Sequence, residues 1–286
     1  MRTEKTSSQL DELNGRCWGN PETVALCARA TGWCDSGEEA ALLSVADTVR
    51  DKPILDIGVG GGRTSSLLRL LSATYVGVDY TPEMVATCRA NHPDLDVRLG
   101  DARDLHDFAD QSFALVLFSY NGIDALDHEG RAVALTELHR VVRFDGFVIV
   151  STLNRDGPSF DRRPWQLSKL VGPVSHPLAQ ALVRFPVRAK SYGRGWRNWR
   201  RLRPMTQQRD GWAIAPLSSR EFSLVVHYTT LRRAVADFAA AGFEVEAVFG
   251  DRGNQVDANS ASTTDDYFNF VLRRRLDEED PVIVLS

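Results

Sequence analysis

Short apolar runs alternate with stretches of helical spacing along most of this chain. Runs at 53–55, 75–79, 113–119 and 146–151 have the composition of buried strands, and 96–99 reads as a further, more polar strand. Between and around them, 64–71 and 129–142 place apolar residues three and four apart. Farther on, the pattern predicts a helix over about 230–241 and strands over 243–249 and 267–272. Strands alternating with helices predict an α/β chain with a doubly wound, mostly parallel sheet. Two more helix-like stretches, about 22–30 and 36–50, precede the first strand.

The first strand leads into Leu55-Asp56-Ile57-Gly58-Val59-Gly60-Gly61-Gly62-Arg63-Thr64. A strand, a glycine-rich turn and a helix start in this order suit a nucleotide-type cofactor. The glycines allow tight turning and close approach of a ligand to the backbone. The second strand ends in Asp79, 23 residues after Asp56. That spacing suits a carboxylate bonding both ribose hydroxyls. A dinucleotide fingerprint needs a small residue at the position held by Arg63. The pattern that fits is D-x-G-x-G-x-G, from Asp56 through Gly58 and Gly60 to Gly62. No P-loop ending and no G-x-S-x-G elbow occurs.

With Leu99-Gly100-Asp101-Ala102 closing the third strand and Ser119-Tyr120-Asn121-Gly122 the fourth, the chain resembles the class I S-adenosylmethionine-dependent methyltransferases. The resemblance covers roughly 50–151 and 226–275, with one departure, Phe113-Ala114 where the family commonly has Phe-Asp. It implies a Rossmann-like seven-stranded sheet, mostly parallel with the last strand antiparallel, and S-adenosylmethionine as cofactor. It assigns the methionine end to Asp56, Gly58, Gly60 and Gly62, and the ribose to Asp79 beside Tyr80. Asp101 and Ala102 then meet the adenine, while Ser119, Tyr120 and Asn121 face the methyl group. His227 and Tyr228 are candidates for acting on the acceptor, with Tyr120 and Asn121. Among the other histidines, those at 92, 106, 128 and 139 are weaker candidates by position.

Charge changes the picture after the fifth strand. From Arg162 to Arg209 there are ten arginines, two lysines and no acid, in a chain of net charge −4. The centre, Trp196-Arg197-Asn198-Trp199-Arg200, is expected to supply substrate contacts through those four aromatic and basic side chains. The segment reads as a cap solvated or paired to the body, a pocket for an anionic molecule, a membrane-surface patch, or an RNA contact. Five prolines predict two or three short helices here and not one long one.

The expected organisation is therefore an N-terminal helical segment over the cofactor (1–52), a core (53–152 and 226–275), a substrate cap (153–225) and a tail (276–286). The expected reaction is methyl transfer to oxygen or nitrogen of a small metabolite, anionic or glycan-like. An RNA acceptor and a catalytically silent scaffold are the alternatives. The expected partner is a small molecule, with weak membrane contact through the cap and a homodimer as further options, and nucleic acid disfavoured. No apolar run approaches the roughly 20 residues of a membrane span, and 43% hydrophobic with 25% charged residues is ordinary for a globular enzyme. Cys17, Cys27, Cys34 and Cys88 lack metal-ligand spacing and read as reduced thiols of a cytoplasmic protein.

Overall fold

A computed structural model describes residues 2–169, 177–260 and 263–275. Three helices come first, α1 (Arg2–Trp18), α2 (Pro21–Ala28) and α3 (Ser36–Val49). The core follows as β1 (Ile54–Ile57), α4 (Ser65–Leu71), β2 (Tyr75–Asp79), α5 (Pro82–Asn91), β3 (Asp96–Leu99) and β4 (Phe113–Phe118). Next are α6 (His128–Val141), β5 (Val142–Leu153), α7 (Pro177–Leu202), β6 (Gln207–Arg209), β7 (Trp212–Pro216) and β8 (Val225–Thr229). The chain then forms α8 (Leu231–Ala240), β9 (Phe243–Gly250) and β10 (Tyr267–Arg274).

Seven strands make one sheet in the order β3-β2-β1-β4-β5-β10-β9. Strands β1 to β5 pair in parallel, and β10 is antiparallel to both neighbours. Burial on both faces explains why β4 reads as an unbroken apolar run and shows no alternation. One face packs Leu135, Leu138, Ala234 and Phe238 of α6 and α8 on Val116, Val148 and Phe270. The opposite face packs Ala41, Leu42 and Val45 of α3, with Leu68 of α4, on Leu115, Ile149 and Val271.

Three features depart from the sequence expectations. Residues 177–202 form one helix of 26 residues, not two or three short ones. Pro177 opens the helix, where its missing N–H costs nothing. Pro186 removes a single interior bond, at about 3 kcal/mol, while the helix is held along its inner side. There Asn198 Nδ2 donates to the Glu221 carbonyl at 3.0 Å, and Leu202 is buried against Leu10, Ile214 and Val225. Second, β6, β7 and β8 form a separate antiparallel sheet. Asp210-Gly211 between two apolar-containing runs is a hairpin signal, and Gly211 has φ +75°. Third, the N-terminal segment, expected to be helical over 1–52, holds a helix ahead of the two stretches read at 22–30 and 36–50: α1, whose Leu10, Leu13, Asn14, Cys17 and Trp18 fall three and four apart. The acidic run at 277–280 lies outside the described residues.

Candidate functional site

A chamber of about 320 Å³ lies at the carboxyl ends of the central strands. Its floor comes from the loops after β1, β2, β3 and β4, which flank the switch in strand order between β1 and β4. The roof comes from α1 and α2 through Asp11, Asn14, Trp18, Leu26 and Cys27.

The glycine loop adopts left-handed conformations at Gly58, Gly60 and Gly62, with φ of +69°, +56° and +89°. Only glycine takes these without strain. Gly61 has a different task. A Cβ there would sit 2.4 Å from the Cys27 carbonyl oxygen, so its hydrogen lets the end of α2 rest on the loop. Gly60 N–H donates to Asp79 Oδ2 at 2.9 Å, and Thr81 N–H to Oδ1 at 2.8 Å. Asp79 is 6% exposed, and burial pushes its carboxyl above the usual range against those two bonds.

Asp56 does not line the chamber. It lies fully buried beneath the loop, accepting from Thr64 Oγ1 at 3.0 Å and Tyr75 OH at 2.9 Å. Burial pushes its carboxyl up to about 7. It braces the loop from below. Gly62 likewise faces away from the chamber, against His92.

At the other end Asp101 meets Arg103 at 2.6 Å, and Arg103 reaches Asp11 of α1 at 2.8 Å. Burial raises the Asp101 carboxyl, but the Arg103 bonds outweigh it and hold it below the usual range. Tyr80, Ala102, Ser119 and Tyr120 also line the chamber.

Arg63, which argued against a dinucleotide, organises the rim. Its guanidinium pairs with fully buried Glu38 at 2.6 and 2.8 Å and donates to the Trp33 carbonyl at 2.9 Å. It lies 4.8 Å from the Trp33 ring centre and 4.7 Å from that of Tyr120. Tyr120 and Asn121 are both left-handed, at φ 52° and 60°. Such non-glycine residues persist only where the surroundings impose them. The Ser151 hydroxyl, accepting from Asn121 N–H at 2.6 Å, is part of that restraint.

Residues 54–146 match a family model described as a methyltransferase domain. Over this stretch the chain is similar to S-adenosylmethionine-dependent methyltransferases. The chain is 34% identical over 98 residues to demethylmenaquinone methyltransferase of Chlorobaculum parvum, spanning 34% of this chain and 39% of that protein. It is 32% identical over 139 residues to malonyl-[acyl-carrier protein] O-methyltransferase of Erwinia billingiae, spanning 49% and 53%. The matches thus cover about two fifths to one half of these relatives' length. In fold, it resembles the CcbJ methyltransferase of Streptomyces caelestis, with a TM-score of 0.53 at 18% identity over 86% of this chain and 92% of that one. A S-adenosylmethionine-dependent methyltransferase of Thermotoga maritima gives 0.53 at 16% identity, over 93% and 100%.

Several expected contacts lie elsewhere. His227 is 0% exposed on β8 and does not line the chamber. Its Nε2 meets His128 Nδ1 at 3.2 Å, and its ring lies near-parallel to Trp212. Burial and the positive charge of Arg131 drive it well below its ordinary value. A neutral, enclosed imidazole is a packing group here, because strand pairing turns it away from the chamber. Tyr228, on the other face of β8, is buried against Phe160, Leu153 and Trp18, and among the described residues its hydroxyl has no hydrogen-bond partner. Asn121 is outside the lining, and so are Trp196, Arg197, Trp199 and Arg200, which ride on α7. Conversely, the sequence reading missed Asn14, Arg63, Arg103 and Arg220 as lining residues. Glu38 was legible in part, because Asp35-x-x-Glu38 is a capping box.

Proposed function

We propose that the protein binds S-adenosylmethionine in this chamber and transfers its methyl group to oxygen or nitrogen of a small, anionic molecule. The observation that carries the reading is the convergence of Asp79, Asp101 and the left-handed glycine loop on one chamber. A side chain at Gly60 would meet nothing closer than 4.0 Å, so the backbone there is open to a ligand. The residues present fit the cofactor: Asp79 and Tyr80 would hold the ribose, Asp101 and Ala102 the adenine, and the glycine loop the methionine end. When bound, the cofactor supplies a sulfonium methyl that is already electrophilic.

What remains for the protein is positioning and exclusion of water. Arg63 draws Trp33 and Tyr120 together at the rim and so closes the methyl end. Arg220, carried on the turn between β7 and β8, reaches the lining beside Cys27 and lies over Trp18 at 5.1 Å. Arg63 and Arg103 have carboxylate partners, whereas among the described residues Arg220 has none. That unpaired fork supports an acceptor bearing a carboxylate or phosphate. Among the described residues no histidine lines the chamber, which favours an acceptor that needs no imidazole base. The two curated relatives are named for unlike acceptors, a demethylmenaquinone and a malonyl-carrier protein, so the names support methyl transfer and no particular substrate.

Calorimetry of S-adenosylmethionine binding tests the reading. Wild type should bind in the micromolar range. Asp79→Ala should bind roughly 30-fold more weakly or worse, at about 2 kcal/mol or more for bonds to a charged group. Folded wild-type protein without affinity for the cofactor would overturn it.

A further inference from the structure

Helix α7 has two unlike sides. Its inner side is fastened to the body: Ser191, Arg194 and Asn198 all hold Glu221, the residue after Arg220, with Arg194 Nε at 2.8 Å from its carboxylate. Leu202 is buried at the helix end. The flank beside it carries large apolar rings in water. Trp196 is 45% exposed, and Trp165, from the turn at 164–169, is 61% exposed. The rings form a row, with centres 6.3 Å apart from Trp165 to Trp196 and 5.6 Å from Trp196 to Trp199.

Unpaired arginines surround the row. Arg203 and Arg163 lie 4.7 and 5.7 Å from the Trp199 ring centre, and Arg197, Arg200 and Arg201 are exposed. Elsewhere, arginines of the body commonly find a carboxylate, as Arg98 finds Asp96 and Arg140 finds Asp110. Among the described residues no carboxylate pairs with any of these five, and the sequence from 162 to 209 contains no acid to offer. The result is an aromatic strip inside a positive field, on a chain that is acidic as a whole.

We propose that this flank of α7 docks on an anionic phospholipid surface, with Trp165 and Trp196 entering the headgroup layer and the arginines lying against the phosphates. Tryptophan suits such an interface because its ring is apolar and its N–H polar. The helix also has the composition of an interfacial element. Its N-terminal half reads Pro-Leu-Ala-Gln-Ala-Leu-Val-Arg-Phe-Pro-Val, its C-terminal half is basic, and neither carries an acid. Stacking of nucleic-acid bases is disfavoured by the geometry, because the rings of the row contact one another and Trp199 is already covered by guanidinium groups. The proposal does not depend on the cofactor reading.

Intact protein is mixed with extruded phosphatidylcholine vesicles, with and without about 30 mol% phosphatidylserine, and binding is followed by cosedimentation and tryptophan emission. Binding to the anionic vesicles should be at least about tenfold tighter, blue-shift the emission, and weaken severalfold at 0.5 M salt. Trp165→Ala with Trp196→Ala should remove the shift and about nine tenths of the binding. Arg197→Gln, Arg200→Gln and Arg201→Gln together should lower binding about tenfold and flatten its salt dependence. Both variants should keep the wild-type melting temperature and S-adenosylmethionine affinity, which separates loss of docking from loss of fold. Absence of binding to anionic vesicles, or unchanged binding in both folded variants, would overturn the proposal. So would single-stranded RNA binding tighter than vesicle binding and lost in the same variants.

Discussion

Single residues in this protein do work that their place in a motif does not reveal. Asp56 opens the glycine fingerprint, yet its carboxylate touches Thr64 and Tyr75 beneath the loop and never reaches the chamber. Burial raises its folded pKa to about 7, against 3.8 for the free side chain. Between those values the native state binds the extra proton, so unfolding free energy falls as pH rises. The stabilising contribution is complete below about 3.8 and lost as pH passes 7. Asp56→Asn carries no charge to bury. Its melting temperature should therefore gain on wild type from pH 5 to pH 8, by about 3 °C or more. A constant difference across that range in thermal scans would show that Asp56 is ionised throughout. The sequence spacing marked Asp56 as a cofactor contact. It was silent on whether the side chain faces the ligand or the core, because both uses need an acid after the same strand.

At the scale of elements, the turn after β4 illustrates how a loop is held for function. Asp124, fully buried, receives the Thr152 hydroxyl and the Leu153 N–H, each at 2.7 Å, and pairs with buried Arg131 of α6. One carboxylate thereby joins the loop carrying Tyr120 to both β5 and α6. Removing it leaves Arg131 charged in the core without a partner. Asp124→Ala should cost about 3–5 kcal/mol in denaturant unfolding, as for a broken buried pair. A loss under about 1 kcal/mol would mean that water replaces the carboxylate. The elements themselves were largely legible from periodicity, since β2, β4 and β5 carry long apolar runs and α4, α6 and α8 space their apolar residues regularly. Helix α1 was not, because its few apolar positions stand among charged ones. The single helix α7 was not, because a proline count registers local cost and not the docking that offsets it.

For the whole molecule, the chamber exists because distant segments converge. Asn14 of α1, 1% exposed, donates to the Ala125 carbonyl at 3.0 Å and the Val225 carbonyl at 2.8 Å, and accepts from Val225 N–H at 3.3 Å. These bonds fasten the roof to the loop after β4 and to the second sheet at once. Asn14→Ala should lower stability by about 2–3 kcal/mol, since buried carbonyls lose their donors. Amide exchange in α1 should quicken while the central strands stay protected. Uniform quickening across the sheet would place Asn14 in the global core instead of the roof. The same convergence displaced the expected acceptor residues. Pairing of β7 with β8 sets His227 opposite Ile214 and turns it toward His128 and Trp212, away from the chamber.

By itself the sequence determined the parallel core, the glycine turn and the acids at its rim. Each of those depends on local rules: a buried strand must be apolar, a left-handed turn calls for glycine, and the acids follow strands at regular spacing. Only the tertiary structure decided which side chains line the chamber, that Arg63 gathers Trp33 and Tyr120 at its mouth, and that the basic helix turns its tryptophans outward. Those outcomes depend on which of a strand's two faces, or which side of a helix, meets segments a hundred or more residues away. No local period in the chain records that choice.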